Sequence, residues 1–176
     1  MKKACMYLLI AAATGLCACP AEQEKGAMKP LDVVPSVDLS KYMGTWYEIA
    51  RYPNRFQEGC AATQVTYALR PDGKVKVVNS CREGSPEGKQ KSIEGPAWSV
   101  DPATNAKLKV RFFWPFSGDY WIIQLDPDYR YAVVGHPGRT YLWILSRTPS
   151  LDPQTLQAIE KKLIEQGYDP SKLVRS

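Results

Sequence analysis

From residue 64 onward, apolar and polar side chains alternate. Val65, Tyr67 and Leu69 take one side of a segment whose other side carries Gln64 and Thr66. Val75 and Val77 alternate with Lys74 and Lys76, and Leu108, Val110 and Phe112 with Lys107, Lys109 and Arg111. A repeat of two residues fits an extended strand with one apolar and one wetted face, and it fits no helix. Strands are expected over 44–51, 61–69, 74–81, 91–100, 106–113, 119–125, 130–135 and 141–147. Breakers separate them: Pro53-Asn54, Pro71-Asp72-Gly73, Gly84-Ser85-Pro86, Asp101-Pro102, Pro115 to Gly118, Asp126-Pro127-Asp128 and Pro137-Gly138. Eight short strands at even spacing specify an all-β chain, either an up-and-down barrel or a sandwich.

The last three strands, "YWIIQL", "YAVV" and "YLWIL", are apolar on both faces, so their outside needs a cover. A helix after residue 152 supplies one. Asp152 can cap it, Pro153 suits its first position and Gly167 its stop. Leu156, Ile159, Leu163 and Ile164 form the apolar stripe of that helix.

The N-terminus belongs to export rather than to the fold. Lys2 and Lys3 precede an apolar run from Met6 to Leu16, which is too short to span a bilayer. The following Leu16-Cys17-Ala18-Cys19 resembles a bacterial lipobox, with cleavage before Cys19 and acylation of its thiol. Residues 1–18 are then a lipoprotein signal peptide, 19–36 a polar lipidated tether with Pro and Gly, and 37–176 the folded domain. An ordinary signal peptide is the alternative. Pro20 after the acylated cysteine leans toward the outer membrane by the sorting rules of such lipoproteins. Loss of Lys2 and Lys3 lowers the formal charge from +5 to +3, too little to suggest nucleic acid, and no recognition motif accompanies it. With Cys19 lipidated, Cys60 and Cys81 remain as a pair in a compartment that favours oxidation.

"GTWYEIARYPNRFQ" on the first strand, "YALRPDGKVKVVN" on the second hairpin, "LDPDYRYAVVG" and "YLWILSRTP" follow one another in order. Together they resemble the lipocalin family, in particular its lipid-anchored bacterial members, over nearly the whole mature chain. The resemblance implies an eight-stranded antiparallel up-and-down barrel with a C-terminal helix packed outside. In such a barrel Gly44, Trp46 and Arg147 lie together at the closed end, where the guanidinium stacks on the indole as a structural plug. Cys60 and Cys81 are not part of the general family pattern. The turn at Pro71-Asp72-Gly73 sets them opposite each other at the mouth, where a disulfide is geometrically reasonable.

Matching positions in related binders make Tyr67 and Trp143 the best pocket residues, with Tyr120 a further candidate. Alternation adds Val77, Phe112 and Tyr131 to the expected ligand-binding lining, and the small residues Ala50, Gly95 and Ala97 are read as leaving space. An apolar cavity of this kind suits one acyl chain, whose transfer from water contributes roughly 10 kcal/mol. The resemblance implies a fatty acid or lysophospholipid as partner, no cofactor, and storage or transport in the bacterial envelope rather than catalysis. A lipocalin-fold enzyme, a binder of another small hydrophobic ligand and a filled, purely structural barrel are the rivals. No Ser-His-Asp grouping is visible, and the single histidine, His136, falls in a turn and makes a metal site unexpected. Phe113, Trp114 and Phe116 are expected on a loop beside the mouth, as a lid or a membrane contact. The sequence is compatible with a homodimer and does not specify one.

Overall fold

The computed structural model describes residues 29–176; the signal segment, Cys19 and the first part of the tether lie outside the described residues. Helix α1 (Leu39–Tyr42) leads into strand β1 (Gly44–Arg51). There follow β2 (Cys60–Leu69), β3 (Val75–Glu83), β4 (Gln90–Ser99), β5 (Lys107–Phe113), β6 (Phe116–Leu125), β7 (Tyr131–Gly135) and β8 (Leu142–Ser146). Helix α2 (Pro153–Glu165) and a two-residue strand β9 (Val174–Arg175) end the chain.

Each strand from β2 to β8 pairs antiparallel with the next, β8 pairs with β1, and β1 returns to β2, which closes the barrel. The β1–β2 ladder runs from Gly44 opposite Tyr67 to Tyr47 opposite Gln64. Beyond it, β9 pairs with Ala50 and Arg51. β2 departs from β1 at an irregularity between Ala61 and Gln64, with Ala62 at φ +48°.

Two cores follow from the two faces of the wall. The inner one holds Trp46, Val65, Tyr67, Val75, Val77, Ala97, Leu108, Ile122, Val134 and Leu145. The outer one holds Ile123, Val133, Leu142 and Ile144 under Ile159 and Leu163 of α2. The doubly apolar late strands are therefore covered by the helix, as the sequence requires. Asp152 caps α2 by accepting from the Thr155 amide at 2.8 Å, and Gly167 stops it at φ +82°. Ile164, read as part of the apolar stripe, is 63% exposed; it lies about 100° around the helix from Leu163, past the edge of the buried face.

The segment read as tether is packed over its last part. Leu31 is buried in the outer core, and the amides of Val34 and Val37 donate to the carbonyls of Ile122 and Thr104 at 3.0 and 2.7 Å. Apolar residues in "LDVVPSV" pack there although the segment lacks any periodicity.

The turn between β6 and β7 is built on one carboxylate. Buried Asp126 accepts from the amides of Asp128 and Arg130 at 3.0 and 3.2 Å. The Arg130 guanidinium adds two bonds at 2.9 and 2.8 Å. Those bonds hold the Asp126 carboxyl below the usual carboxylate range, with the Arg130 side chain the largest cause. A depressed folded-state pKa stabilises the fold above the unfolded value of about 4 and is lost as pH falls through the folded value. Asp126→Ala is expected to cost about 1–3 kcal/mol at neutral pH in a urea titration. The gap between variant and parent should shrink below about pH 4.

Candidate functional site

The floor of the barrel is a stacked pair. Trp46 is fully buried, and the Arg147 guanidinium lies 3.8 Å from its ring centroid. Arg147 Nη1 and Nη2 donate to the carbonyls of Thr45 and Lys41 at 3.0 and 2.7 Å, which pins the cation over the indole. The indole N–H donates to the Tyr42 carbonyl at 2.8 Å. Gly44 has φ +93°, and a Cβ there would stand 3.3 Å from Arg147 Nη1, so a side chain would meet both strain and the guanidinium. The three residues expected at the closed end meet there.

Above the floor three tyrosines converge. The Tyr120 hydroxyl lies 2.8 Å from that of Tyr42 and 2.6 Å from that of Tyr67. Burial pushes all three phenols up, so they stay protonated at any physiological pH. Their rings, with Leu39, Met43, Val75, Val77, Ala97, Leu108 and Val110, line a cavity of about 20 Å³. That is room for one water molecule or one small chemical group.

Toward the mouth the wall turns polar. Glu48, only 7% exposed, accepts from Arg51 Nη1 at 2.9 Å and from Gln57 Nε2 at 2.6 Å, and also from the Ser176 hydroxyl. The Trp143 indole donates to Gln57 Oε1 at 2.8 Å. The Phe56 ring lies 6.3 Å from that of Trp143, and Tyr141 stacks on Trp143 at 5.9 Å and meets Phe56 at 5.6 Å, so the three rings form one cluster. A disulfide joins Cys60 to Cys81 across β2 and β3. Phe113, Trp114 and Phe116, at 67%, 82% and 77% exposure, stand at the β5–β6 turn. That turn is tighter than expected, since β6 begins at Phe116, which pairs with Phe113.

Of the expected lining, Tyr67, Val77 and Tyr120 border the deep cavity, and Phe112 and Trp143 pack against the inner core. Tyr131 does not. It packs against the outer core with Val133, while Ala132 and Val134 of the same strand face inward. Both faces of β7 are apolar, so alternation alone could not choose between them, and the smaller pair fits the inner side. Ala50 is likewise on the outer face. The register shifts between Glu48 and Ala50, which sets Ala50 opposite outward Ile144 and Arg51 opposite Trp143. Gly95 is small for a different reason than space for a ligand: a Cβ there would collide with the backbone carbonyl of Arg111 on β5. Ala97 alone among the three small residues borders the cavity.

A family model described as "Lipocalin-like domain" matches residues 37–176. The chain is a lipocalin. Among the relatives of this lipocalin, temperature-induced lipocalin-1 of Arabidopsis thaliana is 45% identical over 154 residues, covering 82% of this chain and 81% of the relative. Outer membrane lipoprotein Blc of Escherichia coli K12 is 41% identical over 167 residues, covering 94% and 93%. Apolipoprotein D of Macaca fascicularis is 33% identical over 178 residues, covering 96% and 92%. The barrel also resembles that of insecticyanin from the tobacco hornworm Manduca sexta, with a TM-score of 0.69, 24% identity and 86% of each chain covered.

Three residues of the lipocalin's interior escaped the sequence reading. Glu48 shares the parity of Trp46 on β1, a signal that an acid faces inward. Tyr42 sits on a helix of four residues, too short to show a period, although Asp38 caps it. Gln57 ends a single 3-10 turn (Arg55–Gln57) between β1 and β2 and carries no sequence signal of its own.

Proposed function

We propose that this lipocalin binds single-tailed amphiphiles, fatty acids or lysophospholipids, in its barrel. The observation that carries the reading is the division of the interior. Apolar side chains line the deep part, and a half-buried network of Glu48, Arg51 and Gln57 with Trp143 lies toward the mouth. An acyl tail gains by leaving water for the former, and a polar headgroup finds hydrogen-bond partners at the latter.

The site of action is the bacterial envelope, with the protein held to the outer membrane by lipid on Cys19. The lipobox-like sequence and the similarity to outer membrane lipoproteins of Escherichia coli and Vibrio cholerae support this. The three exposed aromatics at the β5–β6 turn suit contact with a bilayer interface beside the mouth. Binding for storage or transport, without catalysis, is the activity these features favour.

Extraction of the purified protein with organic solvent, followed by mass spectrometry, is expected to release a fatty acid or lysophospholipid. A fluorescent fatty acid should then enter saturably at one site and be displaced by lysophospholipid. Uptake that does not saturate would overturn the proposal.

A further inference from the structure

Three hydroxyls and two hydrogen bonds leave one proton over. Tyr42, Tyr120 and Tyr67 form a chain through Tyr120. Among the described residues none of the three hydroxyls has another hydrogen-bond partner. If Tyr42 donates to Tyr120 and Tyr120 to Tyr67, the Tyr67 proton is free. If both outer tyrosines donate inward, the Tyr120 proton is free. Every arrangement leaves one donor unused, because each phenol has a single proton. Tyr42 and Tyr67 are 3% and 5% exposed and Tyr120 is half-buried, so wherever the unused proton falls on an outer tyrosine it is shielded from bulk water. An unused buried donor costs free energy unless something accepts from it. The cavity beside it is apolar on its remaining walls and admits one small group.

We infer that the tyrosine cluster is a subsite for a neutral carbonyl oxygen carried on the far end of an acyl chain. The class follows from three constraints. The group must accept a hydrogen bond. It must be small, because about 20 Å³ admits one carbonyl and little more. It must be uncharged, because among the described residues no free cation stands beside the cluster to neutralise it. Arg147, at the floor, is spent on the Trp46 ring and on the carbonyls of Thr45, Lys41 and Tyr129. A carboxylate buried there would lack compensation. The inference rests on the proposed function, in which the headgroup stays at the polar mouth and the tail points to the floor. The preferred ligand then becomes an acyl chain oxygenated at its tail end, a keto-acid or similar oxidised lipid.

The test compares a saturated fatty acid with the keto-acid of equal length whose carbonyl stands beside the terminal methyl group. Both are titrated against the parent protein and against the Tyr42→Phe/Tyr67→Phe/Tyr120→Phe variant. The ratio of their dissociation constants is expected to shift against the keto-acid by about tenfold in the variant, whatever change in affinity the two acids share. An unchanged ratio overturns the inference and leaves the proposed function standing; failure of both acids to bind the parent overturns both. Should the variant not fold, infrared spectroscopy of the keto-acid labelled with carbon-13 at its ketone replaces it. Bound to the parent protein, its carbonyl stretch is expected at a lower frequency than the same ketone shows in an alkane. A stretch at the alkane frequency overturns the inference.

Discussion

Trp46→Ala is expected to destabilise the barrel by about 3–5 kcal/mol in a urea titration, with little change in the slope of the transition. The side chain is fully buried, so its removal leaves a void and not a surface dent. Two more losses accompany the void. The Tyr42 carbonyl loses its indole donor, and the Arg147 guanidinium loses the ring beneath it. Arg147 keeps its bonds to Thr45 and Lys41, so the cation stays in place above an empty floor. Trp46→Phe restores an aromatic face and should recover a good part of the loss. Equal destabilisation by Phe and Ala would show that the indole N–H, and not the ring, dominates.

Leu163→Ala should cost about 2–5 kcal/mol, the range for a fully buried leucine. Leu163 and Ile159 are completely buried between α2 and the outer faces of β6, β7 and β8. The helix is further tied by Gln124, whose side-chain amide donates to the Ile159 carbonyl at 3.3 Å and to Gln166 at 3.0 Å. The neighbouring Ile164→Ala, at an exposed position, is the control and should shift stability by less than about 0.5 kcal/mol. If the two alanines cost the same, α2 is not seated as described.

Much of this molecule can be read from its residues, and the boundary has a physical cause. Alternation located the strands from 44 to 146 within a few residues, because one face of most is wetted and the other dry. It could not orient β7, where both faces are dry, and so placed Tyr131 on the wrong side of the wall. It also failed past the register shift between Glu48 and Ala50, because a single inserted residue inverts the parity of everything after it. Gly95 shows a third limit. A glycine that admits a ligand and one that admits a neighbouring backbone look alike in sequence. The tyrosine cluster was half legible: Tyr67 and Tyr120 were candidates, but Tyr42 joins them from a separate helix across the barrel floor.

The wall is not held with equal strength around its circumference. Where β2 leaves β1, the backbone ladder stops and the short β9 covers only Ala50 and Arg51. The stretch of β2 from Cys60 to Thr63 keeps a strand neighbour on the β3 side alone, and there the link is covalent. The upper end of this stave therefore hangs from β3, through the pairing of Cys60 with Glu83 and of Ala61 with Arg82 and through the disulfide, and not from β1. The first strand closes the barrel at its floor and leaves the outline of the mouth to the hairpin that follows it.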